Sequence, residues 1–136
     1  MNNWIIPSNS NKFDLAKFLT KYDNEVDWKQ SANFEVGDVV YIYSTKPEMR
    51  IRYKMEVIET NISFDKSLKD KTCWIDKTEF KAGVEKNKYF RLRLVKENKS
   101  SRLTIDELHL HGIKGWIQGP RKVSEDIISF IEESIK

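Results

Sequence analysis

The chain has 136 residues, of which 39% are hydrophobic and 33% charged, and its formal net charge is +3 at pH 7. This composition is typical of one globular domain spanning residues 1–136, and it excludes an intrinsically disordered chain. The single cysteine, Cys73, excludes an internal disulfide and a cysteine-based zinc site. No stretch reaches the roughly 20 apolar residues of a membrane helix, and the N-terminus does not resemble a signal peptide. We therefore expect a cytoplasmic protein that makes no membrane contact.

Charge is distributed unevenly along the chain. Residues 81–102 contain eight Lys/Arg and two Glu, a net charge of +6, whereas residues 1–40 have a net charge of −2 and residues 123–136 of −3. A basic centre between acidic ends is an electrostatic pattern that nucleic-acid-binding proteins use. A solvated, lysine-rich surface gives the same pattern, so charge alone leaves both interpretations open.

Hydrophobic periodicity and turn residues predict four elements in the first part of the chain: a buried strand at 3–7, a helix at 10–22, a loop at 23–33 and a buried strand at 39–43. Proline ends the first strand, and either Ser10 or Asp14 is a suitable helix start. Trp28 falls in the polar loop. Gly37 and Asp38 predict the turn before the second strand, which is apolar on both faces.

The rest of the chain is predicted to contain a strand at 50–60, a polar segment at 61–71, a weak strand candidate at 72–80, a strand at 88–96, a capped helical turn at 104–108, a short strand at 113–117 and a helix at 124–135. In the strand at 50–60, every second residue from Ile51 to Val57 is apolar, so we expect these side chains on one face and charged side chains on the other. Thr104 and Ser124 are the expected helix caps.

Hairpin-spaced strands dominate the centre of this order, and helical segments flank them. We therefore predict an α+β fold in which a curved, mixed or antiparallel β-barrel of about five to six strands carries helices on its outside.

Residues that could perform catalysis are sparse. The five glycines form no phosphate-binding loop. His109 and His111 are the only histidines, and carboxylates would have to complete any metal site around them. Cys73 is better explained as a packing residue than as a nucleophile, and Asp106 and Glu107 suit the first turn of a helix. We expect no enzyme activity, no metal and no cofactor.

The tryptophans carry more information. Trp4 lies in an apolar strand and is expected in the core, whereas Trp28, Trp74 and Trp116 have polar or glycine neighbours. Each of the three could simply cover the core, or some of them could line a shared cavity. An aromatic cavity can stack an extruded nucleobase. The charged face of the strand at 50–60 and the basic segment at 81–102 would then hold the phosphates, through these residues: Arg50, Arg52, Lys54, Arg91 and Arg93.

The order of motifs resembles the EVE domain family of the PUA-like superfamily, to which the YTH readers of methylated adenine are related. The resemblance runs from about residue 3 to residue 135. It rests on "NWIIPSN", on "VDWKQS" leading into "VGDVVYIYS", on "IRYKMEVIET" and "YFRLRLV", and on "LHLHGIKGWIQGPRKVS" before the last helix. It implies a curved barrel with flanking helices and an aromatic pocket that receives a modified base flipped out of DNA or RNA.

The resemblance also implies a set of site residues. Trp28 matches a cage tryptophan, and Trp74, in an insertion at 61–87, would supply a further wall. The implied base pocket comprises Pro7, Ser8, Asn9, Trp28, Tyr43, Ser44, Trp74 and Gln118. Arg121 and Lys122 lie close to Gln118 in sequence and would join the phosphate-binding residues.

Three functions follow as hypotheses. The preferred one is a non-catalytic reader of modified bases that binds nucleic acid, with any nuclease supplied by a separate partner. The second is a small enzyme acting on modified nucleosides, because PUA-like relatives include hydrolases of modified cytidine. The third is a protein-interaction module whose exposed tryptophans anchor an interface.

Overall fold

The computed structural model describes residues 1–75 and 87–136. The described residues form nine elements, in the order β1 (Asn3–Ser8), α1 (Leu15–Lys21), β2 (Glu25–Lys29), β3 (Val39–Ser44), β4 (Arg50–Ile62), β5 (Tyr89–Glu97), α2 (Ile105–Leu110), β6 (Arg121–Lys122) and α3 (Glu125–Ser134). Two short 3-10 turns, Phe64–Lys66 and Lys71–Cys73, follow β4. Part of the strand candidate at 72–80 and the start of the basic segment at 81–102 lie outside the described residues.

The six strands of the described chain form one mixed sheet in the order β2-β5-β4-β3-β1-β6. The β1–β3 pair is parallel and the other four pairs are antiparallel. The predicted α+β class, mixed sheet and flanking helices are confirmed. The predicted curved β-barrel is not closed by these strands, because β2 and β6 remain the two edges of an open sheet. With only two residues, β6 is too short to extend the sheet around to β2.

Alternation along the strands gives the sheet two apolar faces. The first, which we call the α1 face, packs side chains of β1 to β5 such as Ile6, Val26, Ile42, Met55, Phe90 and Leu92 against α1. The second, the α2–α3 face, packs Ile5, Tyr41, Tyr43 and Ile51 against α2 and α3. Trp4 lies buried in the α1 face, as predicted.

A β-bulge corrects one prediction about these faces. Tyr43 pairs with Ile51 while its neighbour Ile42 pairs with Tyr53, so Arg52 is an extra residue on β4. A bulge breaks the strict alternation of a strand. Ile51 therefore lies on the α2–α3 face and Tyr53 on the α1 face, although the sequence predicts both on one side.

Two segments differ from the sequence prediction. Residues 25–29, expected in a loop, form the edge strand β2. Val26 is the single fully buried residue of this strand, so the segment lacks the apolar alternation by which a strand is predicted from sequence. Residues 113–117, expected as a strand, form none. Gly112 and Gly115 have φ of 109° and 70°, a conformation that interrupts extended backbone.

Helix starts follow the capping residues. The Asp14 carboxylate accepts a hydrogen bond from Lys17 N at 3.0 Å, so α1 begins at Leu15 rather than near Ser10. Thr104 and Glu107 form a capping box at α2, as expected from the sequence. Ser124 occupies the cap position of α3, although its side chain makes no capping hydrogen bond.

In the described residues, each helix is too short or too polar to span a bilayer.

The turn before β3 depends on a buried carboxylate. Asp38 accepts hydrogen bonds from Asn2 N, Glu35 N and the Trp4 indole nitrogen, at 2.9–3.0 Å. Burial alone would raise the pKa of Asp38, but these three donors outweigh it and hold the pKa below its usual value. Gly37 has a φ of 96°, which a residue with a side chain rarely adopts. Together these features fix β1 against β3.

Candidate functional site

A cavity of about 430 Å³ opens where the end of β1 meets β2, and we call it the Trp28–Trp74 cavity. Its wall comes from five segments that are distant in sequence. The lining residues are Ser8, Asn9, Lys12, Phe13, Phe18, Asp27, Trp28, Lys29, Phe64, Ser67, Leu68, Lys69, Trp74, Asn87 and Tyr89. Strands β1 and β2 stand four places apart in the sheet order, so only a curved sheet can bring both to one cavity.

Aromatic rings form much of this wall. The Phe13 ring centre lies 5.9 Å from that of Trp28, edge to face, and 4.9 Å from that of Trp74. Backbone hydrogen bonds from Asp14 N to Cys73 O and from Ile75 N to Lys12 O, both 2.7 Å, attach the Trp74 segment to the start of α1. The aromatic wall is therefore fixed by main-chain contacts as well as by packing.

A buried ion pair holds a further wall. The Asp27 side chain is 0% exposed, and its two oxygens accept hydrogen bonds from Nε and Nη2 of Arg91 at 2.7 and 2.9 Å. The same carboxylate accepts from Leu68 N at 2.6 Å. The hydrogen bonds that Arg91 donates to Asp27 are the main reason why the Arg91 pKa rises above its usual value. Asp27 thus ties the segment around Leu68 to β2 and to β5.

A second clamp fastens the turn that precedes Trp74. The Asp70 carboxylate lies 2.5 Å from the Lys21 ammonium group and accepts hydrogen bonds from Thr72 and from the Tyr22 hydroxyl. The Lys21 hydrogen bond, with those from Thr72, holds the pKa of Asp70 well below its usual range. Since Lys21 and Tyr22 belong to the end of α1, the clamp positions the Trp74 segment on that helix.

Three exposed lysines, Lys12, Lys29 and Lys69, line the same cavity. Lys69 donates to Phe64 O at 2.8 Å, and its ammonium group lies 4.5 Å from the centre of the Phe64 ring. No ion pair among the described residues engages Lys29. The cavity therefore combines aromatic walls with a cationic rim.

A second cavity, of about 300 Å³, shares Trp28 and Lys29 with the first, and we call it the Gln118 cavity. The stacked rings of Phe34 and Phe90, with centres 4.1 Å apart, contribute buried surface to it. The remaining lining residues are Ile6, Pro7, Ser31, Gln118, Gly119 and Pro120. Trp28 is therefore a wall common to two adjacent cavities.

The structure divides the predicted base-pocket residues into three groups. Ser8, Asn9, Trp28 and Trp74 line the Trp28–Trp74 cavity; Pro7 and Gln118, together with Trp28, line the Gln118 cavity. Tyr43 and Ser44 line neither. Strand alternation places Tyr43 on the α2–α3 face, and Ser44 is buried beside its pairing partner Ser8.

The predicted phosphate-binding residues line neither cavity, and each is engaged within the protein. Arg91, Arg93 and Lys54 pair with Asp27, Glu25 and Glu132 at 2.7–2.9 Å, and Arg52 pairs with Glu48. Arg50 donates to Ser100 O and Arg121 to Lys114 O, while the Lys122 ammonium group lies 5.4 Å from the Trp4 ring centre. The two ion pairs on β5 were not predicted, because Glu25 and Asp27 fall in the segment that was expected to be a loop.

Several cavity residues were not predicted, among them Phe13, Asp27, Lys29 and Lys69. One signal for Asp27 was present in the sequence. Glu25 and Asp27 alternate with apolar residues in the same way as Arg91 and Arg93, and opposite charges directly across an antiparallel pair are favourable. The register of β2 and β5 sets Glu25 against Arg93 and Asp27 against Arg91.

The remaining aromatic and histidine residues lie elsewhere. Trp116 is 57% exposed, stands edge-on to the His109 ring and lines neither cavity. The His109 ring bonds to Gly115 O at 2.7 Å, and His111 stacks on Phe130. Within residues 1–75 and 87–136 there is no cluster of His, Cys, Asp and Glu suited to a metal ion.

Comparison with known proteins identifies the fold. No family model matches the chain, and no curated protein matches it in sequence. A hypothetical protein from Leishmania major has a similar solved structure, with a TM-score of 0.66 and 21% sequence identity, over 98% of this chain and 93% of that chain. ASCH from Zymomonas mobilis has a TM-score of 0.64 and 9% identity, over 99% of this chain and 96% of that chain. A protein from Pseudomonas syringae has a TM-score of 0.66 and 17% identity, over 96% of this chain and 97% of that chain. The similarity to ASCH supports a PUA-like fold. Membership of the PUA-like superfamily, and of the EVE family within it, stays a prediction.

Proposed function

We propose that the protein is a nucleic-acid-binding module that receives one extruded, modified base in the Trp28–Trp74 cavity. The observation that carries this proposal is the combination of an aromatic-walled cavity of about 430 Å³ with three exposed lysines on its lining. Ligand pockets in proteins typically have volumes of roughly 300–1,000 Å³. The volume suits a flat base with its sugar.

Each part of the cavity has a role in such binding. The rings of Phe13, Trp28 and Trp74 offer stacking and edge contacts to a base, which every base can use because each has a π-face. Lys12 and Lys29, exposed on the cavity lining, would contact the phosphates on either side of an extruded nucleotide, and such contacts position the strand without reading its sequence. An alkyl group on the base adds apolar surface for these rings to cover, which favours a modified base.

The proposal requires no chemical step. Cys73, the single cysteine of the sequence, is 1% exposed, and burial raises the pKa of its thiol. An activated cysteine nucleophile has the opposite properties, a lowered pKa and an accessible sulfur. These features support a binding module rather than a thiol-dependent enzyme, with any cleavage of the bound strand left to a separate nuclease.

A binding screen tests the proposal. Short DNA and RNA oligonucleotides, single-stranded and duplex, would carry a central adenine, N6-methyladenine, cytosine or 5-methylcytosine, and affinity would be measured by fluorescence anisotropy over a range of salt concentrations. We expect one modified oligonucleotide to bind more tightly than its unmodified partner, with an affinity that falls as salt rises.

The screen also separates the other two functions. Equal, salt-insensitive binding of every oligonucleotide would contradict the proposal and favour a protein-interaction module. Release of an altered base or nucleoside, followed by chromatography, would favour an enzyme. Trp74→Ala should reduce the preference for the modified base, and Trp116→Ala, which changes a tryptophan outside both cavities, serves as the matched control.

A further inference from the structure

The Gln118 cavity has the features of a second site for a flat group. Trp28, which is partly buried, provides the accessible aromatic surface; the buried Phe34–Phe90 stack also lines the cavity, and Pro7 and Pro120 add rigid apolar contacts. Gln118 is exposed, and its side-chain amide offers two donors and one acceptor oxygen. An apolar slot with one amide at its rim can stack a nucleobase and hydrogen-bond its edge.

The relation between the two cavities indicates what the second one binds. They share Trp28 and also Lys29, an exposed lysine that no described ion pair engages. Two groups bound on either side of a shared residue are close together in space, and neighbouring nucleotides are joined by a single phosphate. A cation common to both cavities lies where that phosphate would be.

We infer that the Gln118 cavity is a subsite for the nucleotide next to the extruded base, with Lys29 contacting the phosphate that joins the two. This inference rests on the proposed function of the Trp28–Trp74 cavity. It adds that the nucleic-acid strand binds in one 5′-to-3′ direction. The second cavity lies to one side of the first, so it takes the neighbour on the 5′ side or the neighbour on the 3′ side, but not both. The protein therefore engages the neighbour on one side of its base and not the neighbour on the other.

Isomeric dinucleotides test this inference without altering composition or charge. The probes are N6-methyladenosine, 5-methylcytidine and their unmodified parents, in ribo and deoxy forms, each as a 5′-monophosphate and as two dinucleotides with uridine or thymidine on the 5′ or the 3′ side. Stacking of one base on an aromatic side chain corresponds to a roughly ten- to hundredfold change in affinity. We expect one isomer to bind more tightly than the other by about that factor, in isothermal titrations.

Two variants locate the source of the difference. A Cβ added at Gly119 meets no atom within 4 Å, and the φ of this residue lies outside the left-handed region, so the backbone accepts Gly119→Leu while the side chain narrows the slot. Gln118→Ala removes the amide from an exposed position and should leave the melting temperature unchanged. Both variants should bring the preferred isomer down to the affinity of the other. Trp116→Ala, in the same segment, is the control and should change neither affinity.

Each outcome decides between the two proposals. If a monophosphate binds but its two dinucleotide isomers bind equally, the subsite is wrong and the base pocket stands. If the isomers differ and both variants preserve the difference, the discrimination arises elsewhere and the subsite is wrong. If no probe binds in any form, the proposed function fails and the subsite fails with it.

Discussion

The two faces of the sheet share β1, β3 and β4, yet the Trp28–Trp74 cavity and the Gln118 cavity both lie on the α1 face. On the α2–α3 face, helices of six and ten residues cover the sheet, and the partly buried side chains at its margin are Val39, Met49 and Val123. On the α1 face, one helix of seven residues is the cover that the described part of the chain provides for a wider expanse of strands. Half of the partly buried hydrophobic side chains on this face are aromatic: Tyr22, Trp28 and Trp74, beside Ala32, Leu68 and Leu94.

This difference shows where the fold leaves room for a ligand. A helix shorter than the sheet beneath it leaves the end of an apolar face uncovered, and loops carrying large rings close only part of the gap. The rings remain partly accessible and so can contact a flat molecule. The arginine-rich strand surfaces offer less, because carboxylates on neighbouring elements already neutralise them.

The largest effect is expected from a substitution that creates a cavity in the core of the α2–α3 face. Ile131 is 0% exposed in the α2–α3 cluster, so Ile131→Ala should lower the free energy of unfolding by about 2–5 kcal/mol, measured by urea denaturation. Oligonucleotide affinity at a temperature well below the melt should stay unchanged, since this face holds neither cavity. A parallel loss of affinity in the folded variant would show that the two faces are not separate in function.

The next largest effect concerns the buried Asp27–Arg91 ion pair beside the Trp28–Trp74 cavity. Asp27→Ala leaves the Arg91 guanidinium, 19% exposed, with only the longer Glu59 contact at 3.7 Å and releases Leu68 N, so we expect a loss of about 3 kcal/mol in unfolding free energy. It should also weaken binding, because the Leu68 segment lines the Trp28–Trp74 cavity.

Glu25→Ala provides the matched control, two residues earlier on the same strand. Its partner Arg93 is 57% exposed, and pairs of this kind contribute about 0.2–1 kcal/mol. Equal losses from the two variants would mean that Asp27 has no special structural role in this wall.

Helices and strands with strong hydrophobic periodicity were predictable from the sequence. A strand that is stabilised mainly by pairing with another strand was not. β1, β3, β4, β5 and α3 carry runs or alternations of apolar residues that burial requires, and all five are present. β2 has one fully buried residue and is stabilised by pairing with β5, which a single segment does not reveal.

The site was predictable to a similar extent. Trp28 and Trp74 stood out because a large ring in a polar setting is unusual, and both line one cavity. Phe13 reads as an ordinary core residue, and its place between the two tryptophans depends on the attachment of residues 73–75 to the start of α1. The charge of Arg91 was evident, but its partner Asp27 becomes visible only when the strand register is known.

A smaller effect, on binding rather than folding, is expected at Trp28. Its ring is only partly buried, so Trp28→Ala should weaken the preferred modified oligonucleotide by about 1–3 kcal/mol, roughly ten- to hundredfold, and reduce discrimination from the unmodified one. Anisotropy titrations measure the affinity, and a melt on the same sample measures stability. Trp116→Ala should leave the affinity unchanged. If Trp28→Ala lowers the melting temperature but leaves the oligonucleotide affinity unchanged, the Trp28 ring only packs in the core and does not contact the base.

The smallest expected effect is a dependence of folding stability on pH, which should not distinguish the α1 face from the α2–α3 face. The pKa of Asp38 is lower in the folded protein than in the unfolded chain, so its stabilising contribution is present above the unfolded pKa of about 3.9 and is lost as the pH falls through the folded value. Urea unfolding at a series of pH values should show the stability advantage of the wild type over Asp38→Asn shrinking below about pH 4. A constant difference down to about pH 3 would remove Asp38 from the acid response.

The indole N–H signals of the four tryptophans offer the most direct test of the central claim, that a base enters the cavity between Trp28 and Trp74. A ¹H–¹⁵N spectrum, assigned with single Trp→Phe variants, would be recorded while the tightest-binding nucleoside monophosphate is added. We predict that the Trp28 and Trp74 signals move with the added ligand, while Trp4, bonded to Asp38, and Trp116, outside both cavities, keep their positions. Movement of the Trp116 signal with Trp28 and Trp74 unchanged would contradict the account.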